Sequence, residues 1–328
     1  MNTISTMKRN ILTIFLGLFI IASSAVHTGC KGDKTNLTFV TGGTSGTYYP
    51  YGMALAEIFN SEISGLNVSV YATGASTENI ILINERKADL AIVQNDILSY
   101  AFDGTRLFHD KPVKGLTTVA TLYMEVVQIV VSPESGINSI KDMKGKRISV
   151  GDAGSGVEAN AAQILATEKL TFKDLNTSNL SFKDSGTAFL EGKIDGFFVT
   201  SGIPNIAIEE ILETKSLKIL PINLQEMSHL LTDYSFYIPY AIKKDVYKGI
   251  TTDIGTIAVK ATLIVREDLD EKLVYNLTKT MFENRDKIAK SIEKGNELDI
   301  HEAVKGISSV PLHSGARKYY HEKGTFKL

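Results

Sequence analysis

Residues 37–48 read LTFVTGGTSGTY, and this stretch decides the fold. The alternation of apolar and polar residues over 37–41 predicts a half-buried β-strand. The glycines that follow predict a tight turn. Apolar residues recur at helical spacing from residue 53 to residue 59 and predict a helix. A strand that passes through a glycine turn into a helix is typical of an α/β unit.

The same pattern returns later in the chain. Residues 147–150 predict a strand, 151–156 a glycine turn and 157–169 a helix. A Lys-x-Asp strand follows in both copies, with Asp89 lying 43 positions after Gly46 and Asp195 lying 39 positions after Gly156. Two copies predict two α/β lobes of related design, and a chance match of short segments is the alternative.

Two apolar stretches connect the predicted lobes. Residues 117–131 and 256–265 predict strands that pass from one lobe to the other and form a hinge. We therefore expect lobe I to begin over residues 36–123 and lobe II to occupy 124–257. Residues 258–328 would then supply the returning hinge strand and complete lobe I.

The amino terminus resembles a targeting segment. Lys8 and Arg9 precede an apolar run over residues 11–21 and a small, polar stretch, which together predict a signal peptide over 1–29. The run is shorter than the 20 or so apolar residues that span a bilayer. Cys30 follows as in a bacterial lipobox, which predicts lipidation at Cys30 and an extracytoplasmic location. His27 stands where lipoboxes usually carry an aliphatic residue, and a stray free cysteine is the alternative.

Composition excludes several classes of protein. The 328 residues carry a net charge of −2 and one cysteine, so neither a nucleic-acid-binding surface nor a disulfide framework is expected. The histidines form no metal-binding motif, and no Gly-x-Ser-x-Gly nucleophile motif occurs. We expect no metal, no cofactor and no enzymatic activity.

The glycine turns indicate anion binding. Glycine lets successive backbone N–H groups point into one hollow, and a helix N-terminus adds unpaired donors and partial positive charge. Neither turn carries a nucleotide P-loop ending, which leaves carboxylate and phosphate as guests. We expect Ser155 and Glu158 to form a capping box, Ser76 to cap a third helix, and Tyr48 and Tyr49 to wall a small ligand. In the alternative interpretation the turns only serve the fold.

Six segments resemble the TAXI family, the extracytoplasmic solute-binding subunits of one class of TRAP transporters. The chain departs from the family at Met124 and near Lys243, where the family usually has proline. The matching segments are TGGTSGTYYP at 41–50, AIVQ at 91–94, LYMEVV at 122–127, VGDAGSG at 150–156, GFFV at 196–199 with Gly202 and Pro204, and VPLHSGA at 310–316 with Tyr319 and Tyr320.

This resemblance implies the fold class and a function. The fold would be a type II periplasmic-binding-protein fold, in which two α/β lobes joined by hinge strands enclose a ligand cleft. The ligand would be a small carboxylate such as glutamate, a related amino acid or 2-oxoglutarate. TRAP membrane subunits would then take it up with an ion gradient. A periplasmic ligand-sensing subunit for a signalling partner is the alternative function.

The resemblance also assigns roles to individual residues. The first turn would hold a carboxylate, and the second turn would add backbone donors. Gln94 and Thr200, which end matching strands, would face each other. Glu125 would pair with a ligand ammonium or be a solvated strand charge, and Tyr123 would stack on the ligand or pack in the hinge. The predicted ligand-binding residues are Thr44, Ser45, Gly46, Thr47, Tyr48, Thr73, Gly74, Ser76, Gln94, Tyr123, Glu125, Ser155, Gly156, Val157 and Thr200.

Overall fold

A computed structural model describes residues 34–223, 225, 228–307 and 309–325. Its strands form one ten-stranded sheet. In chain order the strands are β1 (Thr35–Val40), β2 (Leu66–Tyr71), β3 (Leu90–Gln94), β4 (Leu116–Val131), β5 (Arg147–Ser149), β6 (Asn176–Ser178), β7 (Gly196–Ser201), β8 (Lys218–Leu220), β9 (Ile238–Ile242) and β10 (Ile254–Arg266).

Helices connect these strands and cover the sheet. Those that follow β1, β2, β5 and β6 lead into the next parallel strand, as in other α/β folds. The helices are α1 (Tyr48–Glu62), α2 (Ser76–Asn84), α3 (Asn95–Asp103), α4 (Gly156–Thr167), α5 (Phe182–Leu190), α6 (Ile206–Leu212), α7 (Ser228–Asp233), α8 (Glu271–Glu283), α9 (Arg285–Ser291) and α10 (Ser314–Glu322).

The sheet contains the repeat that the sequence predicts. Its strand order is β2-β1-β3-β10-β4-β7-β5-β6, so β1 lies between β2 and β3 as β5 lies between β6 and β7. All four of these pairings are parallel. We call β1-α1-β2-α2-β3 the first unit and β5-α4-β6-α5-β7 the second unit.

Matching hydrogen bonds extend the repeat to single residues. In the first unit an Asp89 carboxylate oxygen accepts the Thr38 backbone N–H at 2.7 Å. In the second unit an Asp195 carboxylate oxygen accepts the Arg147 backbone N–H at 2.9 Å. Each aspartate therefore ties the start of the third strand of its unit to the first strand, which explains the shared Lys-x-Asp pattern.

Two long strands join the units, as the sequence predicts. β4 has 16 residues and β10 has 13. They pair antiparallel with each other, while β10 also pairs with β3 of the first unit and β4 with β7 of the second. The β4–β10 register shifts at two places, between Ala261 and Thr262 and between Leu263 and Ile264.

The hydrophobic core is divided along the same lines. One cluster joins β1 and α1 to the carboxyl-terminal helices, with Phe39, Leu55, Leu277 and Tyr320 among its members. The Tyr320 hydroxyl also donates to a β4 carbonyl at 2.9 Å. A separate cluster holds buried residues of the second unit. The lobe boundaries at 123/124 and 257/258 stay predictions.

Two helices end earlier than the sequence predicts. The helix that the sequence predicts after Ser76, up to Lys87, ends at Asn84, and Arg86 takes a left-handed conformation with φ of 59°. The helix expected over 157–169 ends at Thr167, and Lys169 has φ of 56°. The left-handed conformation cannot continue a right-handed helix, and the two helices end three and two residues before their predicted ends.

The predicted signal peptide and the predicted lipidation at Cys30 lie outside the described residues. From residue 34 onward, no helix in the described part of the chain is long and apolar enough to cross a bilayer.

Candidate functional site

The first glycine turn lies at the carboxyl end of β1 and leads directly into α1. It is closed by a 2.9 Å hydrogen bond from the Gly46 N–H to the Gly43 carbonyl. A Cβ at position 46 would lie 3.3 Å from that carbonyl oxygen and 3.5 Å from the Phe182 ring. Glycine at 46 therefore allows the turn to pack closely against the second unit.

A cavity lies where the two units meet. It encloses about 50 Å³ for the centres of water-sized molecules, which is room for several waters or one small solute. The residues that line it come from both units and from β4. They are Gly42, Gly43, Ser45, Gly46, Thr47, Tyr48, Ala75, Ser76, Gln94, Glu125, Asp152, Ser155, Gly156, Val157, Phe182, Thr200 and Ser201.

Three helix N-termini face this cavity. α1 begins at Tyr48, α2 at Ser76 and α4 at Gly156, and all three residues line it. The first N–H groups of a helix have no partner within the helix, and they give its N-terminus partial positive charge. Backbone donors of three helices thus lie at the cavity, and among the described residues its lining includes no lysine, arginine or histidine.

Two carboxyl groups reach the cavity. Glu125, in the middle of β4, is 2% exposed and accepts a hydrogen bond from the Tyr48 hydroxyl at 2.7 Å. Burial raises its pKa well above the usual range, an effect that nearby Asp96 reinforces and the Tyr48 bond opposes. Burial also raises the pKa of Asp152. The interpretation of Glu125 as a solvated strand charge is wrong, because the side chain is buried.

Two further cavity-lining side chains carry buried polar atoms without a partner. Gln94 and Thr200, at the ends of β3 and β7, are 2% and 4% exposed. Within the described part of the chain, neither the Gln94 side-chain carbonyl oxygen nor the Thr200 hydroxyl has a hydrogen-bond partner. A buried polar atom without a partner is costly, so a ligand that donates to these atoms would gain binding energy.

The second glycine turn is capped differently from the prediction. The Ser155 hydroxyl accepts the Glu158 N–H at 3.1 Å, as expected of a helix cap. Glu158 bonds back to the Gly154 N–H at 2.7 Å instead of the N-cap backbone, so only half of the predicted capping box is present. Ser76 caps no helix, because its hydroxyl accepts the Gln94 backbone N–H at 3.1 Å.

Gly156 lies directly against Gln94 of the other unit. A Cβ at position 156 would lie 1.6 Å from the Gln94 side-chain carbonyl oxygen. Only glycine leaves room for this approach, so the second turn and the end of β3 are fitted to each other.

A sequence profile described as the NMT1-like family matches residues 39–324. The chain belongs to the NMT1-like family. The match covers both units, the two long strands and the carboxyl-terminal helices, so the candidate cavity is formed entirely by the NMT1-like region.

Solved structures show the fold of this NMT1-like chain. A protein of Bordetella bronchiseptica RB50 is 15% identical over 88% of this chain and 83% of its own, with a TM-score of 0.52. A putative L-cystine ABC transporter protein of Listeria monocytogenes is 16% identical over 79% and 95%, with a TM-score of 0.50. The alkanesulfonate-binding protein SsuA of Xanthomonas axonopodis pv. citri is 14% identical over 88% of this chain and 83% of its own, with a TM-score of 0.49. The first two of these likenesses confirm the predicted type II periplasmic-binding-protein fold.

Most of the predicted binding residues of the NMT1-like chain line the cavity. Those that do are Ser45, Gly46, Thr47, Tyr48, Ser76, Gln94, Glu125, Ser155, Gly156, Val157 and Thr200. Their meeting in one place supports the predicted site, and their contact with a ligand stays a prediction.

Three predicted residues from the glycine turns lie outside the cavity lining. Thr44 is exposed at the tip of its turn. The Thr73 hydroxyl donates to the Thr41 carbonyl at 2.9 Å. The Gly74 N–H donates to a Glu78 carboxylate oxygen at 2.6 Å. The second and third of these groups are thus used to shape the turn before α2.

Two aromatic residues also lie outside the cavity lining. The Tyr123 ring packs against Tyr51, with ring centroids 5.0 Å apart, and is 3% exposed. It therefore packs between the long strands and α1, as the alternative interpretation proposed. Of the two tyrosines expected to wall a ligand, Tyr48 lines the cavity and Tyr49 does not.

Sequence reasoning missed six lining residues. Asp152 lies in the second glycine turn and follows from the same motif. Phe182 begins α5, the counterpart of α2, so extending the repeat by one helix would have found it. The others are Gly42, Gly43, Ala75 and Ser201, which lie beside predicted residues.

Proposed function

We propose that this chain is an extracytoplasmic receptor that captures a small carboxylate in the cavity between its units. Glutamate, a related amino acid and 2-oxoglutarate are the candidate ligands. The observation that carries the proposal is the meeting of three helix N-termini at one cavity, whose lining within the described ranges of the chain includes no cationic side chain.

Backbone donors explain how such a site would hold an anion. The first-turn N–H groups of α1 and α4 would bond to the carboxylate oxygens from opposite sides. Each helix N-terminus adds about 0.3–1 kcal/mol of favourable electrostatics, and more in a partly buried site. Because unpaired N–H groups and partial positive charge meet at a helix N-terminus, such a site can hold an anion without a lysine or arginine side chain.

Ligand contact with both units would drive closure. A solute that bonds to Thr47 or Tyr48 of the first unit and to Gly156 or Val157 of the second binds the closed arrangement better than an open one. Only such a difference in affinity shifts a conformational equilibrium. The receptor would thereby present its loaded form to a membrane partner.

We propose TRAP membrane subunits as that partner and a lipid at Cys30 as the tether. The support is the resemblance of six segments to the TAXI family and the signal-peptide pattern before Cys30. A ligand-sensing subunit would share the same cavity. Genes for TRAP membrane subunits beside this chain would favour transport, and a signalling partner there would favour sensing.

We propose binding without catalysis. The support is that the cavity holds backbone donors and unpartnered polar side chains that suit recognition. Recovery of an unchanged ligand from the protein after prolonged incubation supports this proposal. Turnover of a bound carboxylate would contradict it.

A thermal-shift screen tests the proposed function. The panel contains amino acids, dicarboxylates and keto acids, with the matching amides as controls that lack the carboxylate. A specific ligand raises the melting temperature by mass action, so we expect a carboxylate to shift it and its amide to have little effect. No shift from any carboxylate would contradict the proposal.

A substitution in the first turn links the shift to the cavity. In Gly46→Val the side chain would crowd the Gly43 carbonyl and the Phe182 ring and fill the hollow of N–H groups. We expect this variant to lose binding in calorimetry. An unchanged affinity would show that the carboxylate is held elsewhere.

A further inference from the structure

A line of buried polar contacts runs from α3 through α4 to the cavity. An Asp96 carboxylate oxygen accepts from the Asn160 side-chain amide at 3.0 Å. The Asn160 carbonyl oxygen in turn accepts from the Gln94 side-chain amide at 3.1 Å. Asp96 is 1% exposed, Asn160 0% and Gln94 2%, so water does not compete for these bonds.

The chemistry of Asp96 and Tyr237 fixes the direction of Asn160. An ionised carboxylate only accepts hydrogen bonds, so Asn160 must turn its NH₂ group toward Asp96. The same NH₂ donates to the Tyr237 hydroxyl at 2.9 Å, and that hydroxyl is an acceptor here because it donates to Gln163 at 2.6 Å. Both neighbours therefore require the same orientation of the Asn160 amide.

The direction of Asn160 then fixes Gln94. The Asn160 carbonyl oxygen is left facing Gln94 and accepts from its NH₂ group. The Gln94 carbonyl oxygen consequently points away from Asn160 and lies against Gly156, another cavity-lining residue, where it is buried without a partner. A primary amide has one donor end and one acceptor end, so the network decides which end the cavity receives.

We propose that Asp96 and Asn160 are positioning residues that turn the Gln94 carbonyl oxygen toward the cavity, so that the site favours a ligand with an N–H donor beside its carboxylate. This inference rests on the proposed function for its ligand class. It distinguishes an α-amino acid from the keto acid of the same length, because a keto oxygen offers no donor to Gln94.

The variant Asn160→Leu tests the relay, since leucine has a similar size and no hydrogen-bonding group. Gln163→Leu is the matched control, because it removes a side-chain amide from the same helix while Asp96 alone still requires the NH₂ group of Asn160. Calorimetry with L-glutamate and 2-oxoglutarate gives the ratio of the two affinities for each protein.

We expect the wild-type protein to prefer L-glutamate and the preference to fall at least tenfold in Asn160→Leu. Tenfold corresponds to about 1.4 kcal/mol, which is the size of one hydrogen bond. The control should keep the wild-type ratio. An unchanged ratio in Asn160→Leu, or a wild-type preference for 2-oxoglutarate, would overturn the relay while leaving carboxylate binding intact.

A measurement without ligand tests the positioning role of Asp96 and Asn160 separately. If neither L-glutamate nor 2-oxoglutarate binds, that result counts against the proposed function alone. The side-chain amide protons of Gln94, followed by NMR in ¹⁵N-labelled protein, should exchange slowly with solvent in the wild type. They should exchange much faster in Asn160→Leu and remain slow in Gln163→Leu. Fast exchange in the wild-type protein would overturn the proposal.

Discussion

Replacing Gly156 by alanine tests the close fit between the second glycine turn and Gln94. The new Cβ would lie 1.6 Å from the Gln94 carbonyl oxygen and 2.3 Å from the carbon that bears it, so Gln94 must move. Its bond to Asn160 would break and leave a buried carbonyl oxygen unpaired, a loss of about 1–3 kcal/mol. Alanine in place of glycine offsets about 0.4–1 kcal/mol of this through the unfolded state.

We therefore expect Gly156→Ala to lower the free energy of unfolding by about 1–2 kcal/mol, measured by urea denaturation without ligand. Gly43→Ala is the matched control, because a Cβ at position 43 would meet no heavy atom within 4 Å. That variant should stay within about 0.5 kcal/mol of the wild type. Equal stability of the two variants would refute the fit described for Gly156 and Gln94.

Three further predictions concern carboxylates away from the glycine turns. Burial raises the pKa of Asp96 from 3.8 to about 6, so the folded protein keeps a proton that the unfolded chain has lost. Its unfolding free energy in urea denaturation should fall by about 2 kcal/mol between pH 4 and pH 6. Asp96→Asn should show a smaller fall, and an identical fall in the variant would contradict the assignment. Burial likewise raises the pKa of Glu125, so the wild type should lose stability as the pH rises from 5 to 8. In urea denaturation the stability of Glu125→Gln relative to the wild type should therefore increase over this range, and a decrease would contradict the prediction. Asp89→Ala and Asp195→Ala each leave a strand N–H unpaired. Each should lower the free energy of unfolding in urea denaturation by about 1–3 kcal/mol. If the double variant loses far less free energy of unfolding than the sum of the two single losses, the two sites are not independent.

The repeat could be predicted because it is written in local patterns. Glycine turns, apolar periodicity and the Lys-x-Asp strands all act within a few residues, and they placed β1, α1, β5 and α4 near their observed positions. The length of β4 was also visible, since residues 117–131 form a largely apolar stretch that is typical of a strand buried on both faces.

The contacts that shape the site could not be predicted in the same way. Asp96 and Asn160 are separated by 64 positions and lie outside the glycine motifs. Thr73 looked like a ligand contact because turn residues often are, but its hydroxyl bonds to the Thr41 carbonyl. Such choices between a structural partner and a ligand depend on which groups the fold brings within 3 Å.

The buried state of Glu125 also depends on the fold. Its place in an apolar strand fitted either a cavity or a solvated edge. The structure puts β10 and β7 on the two sides of β4 and brings the Tyr48 hydroxyl to the carboxyl group. β7, β10 and Tyr48 are all distant from Glu125 in sequence, so the sequence left both alternatives open.

A crystal structure of the protein with the carboxylate that gives the largest thermal shift tests the central claim most directly. We predict that the ligand occupies the cavity between the units, with carboxylate oxygens about 3 Å from first-turn backbone nitrogens of α1 or α4. A carboxylate held by a lysine or arginine side chain, or a ligand bound outside this cavity, would contradict the account.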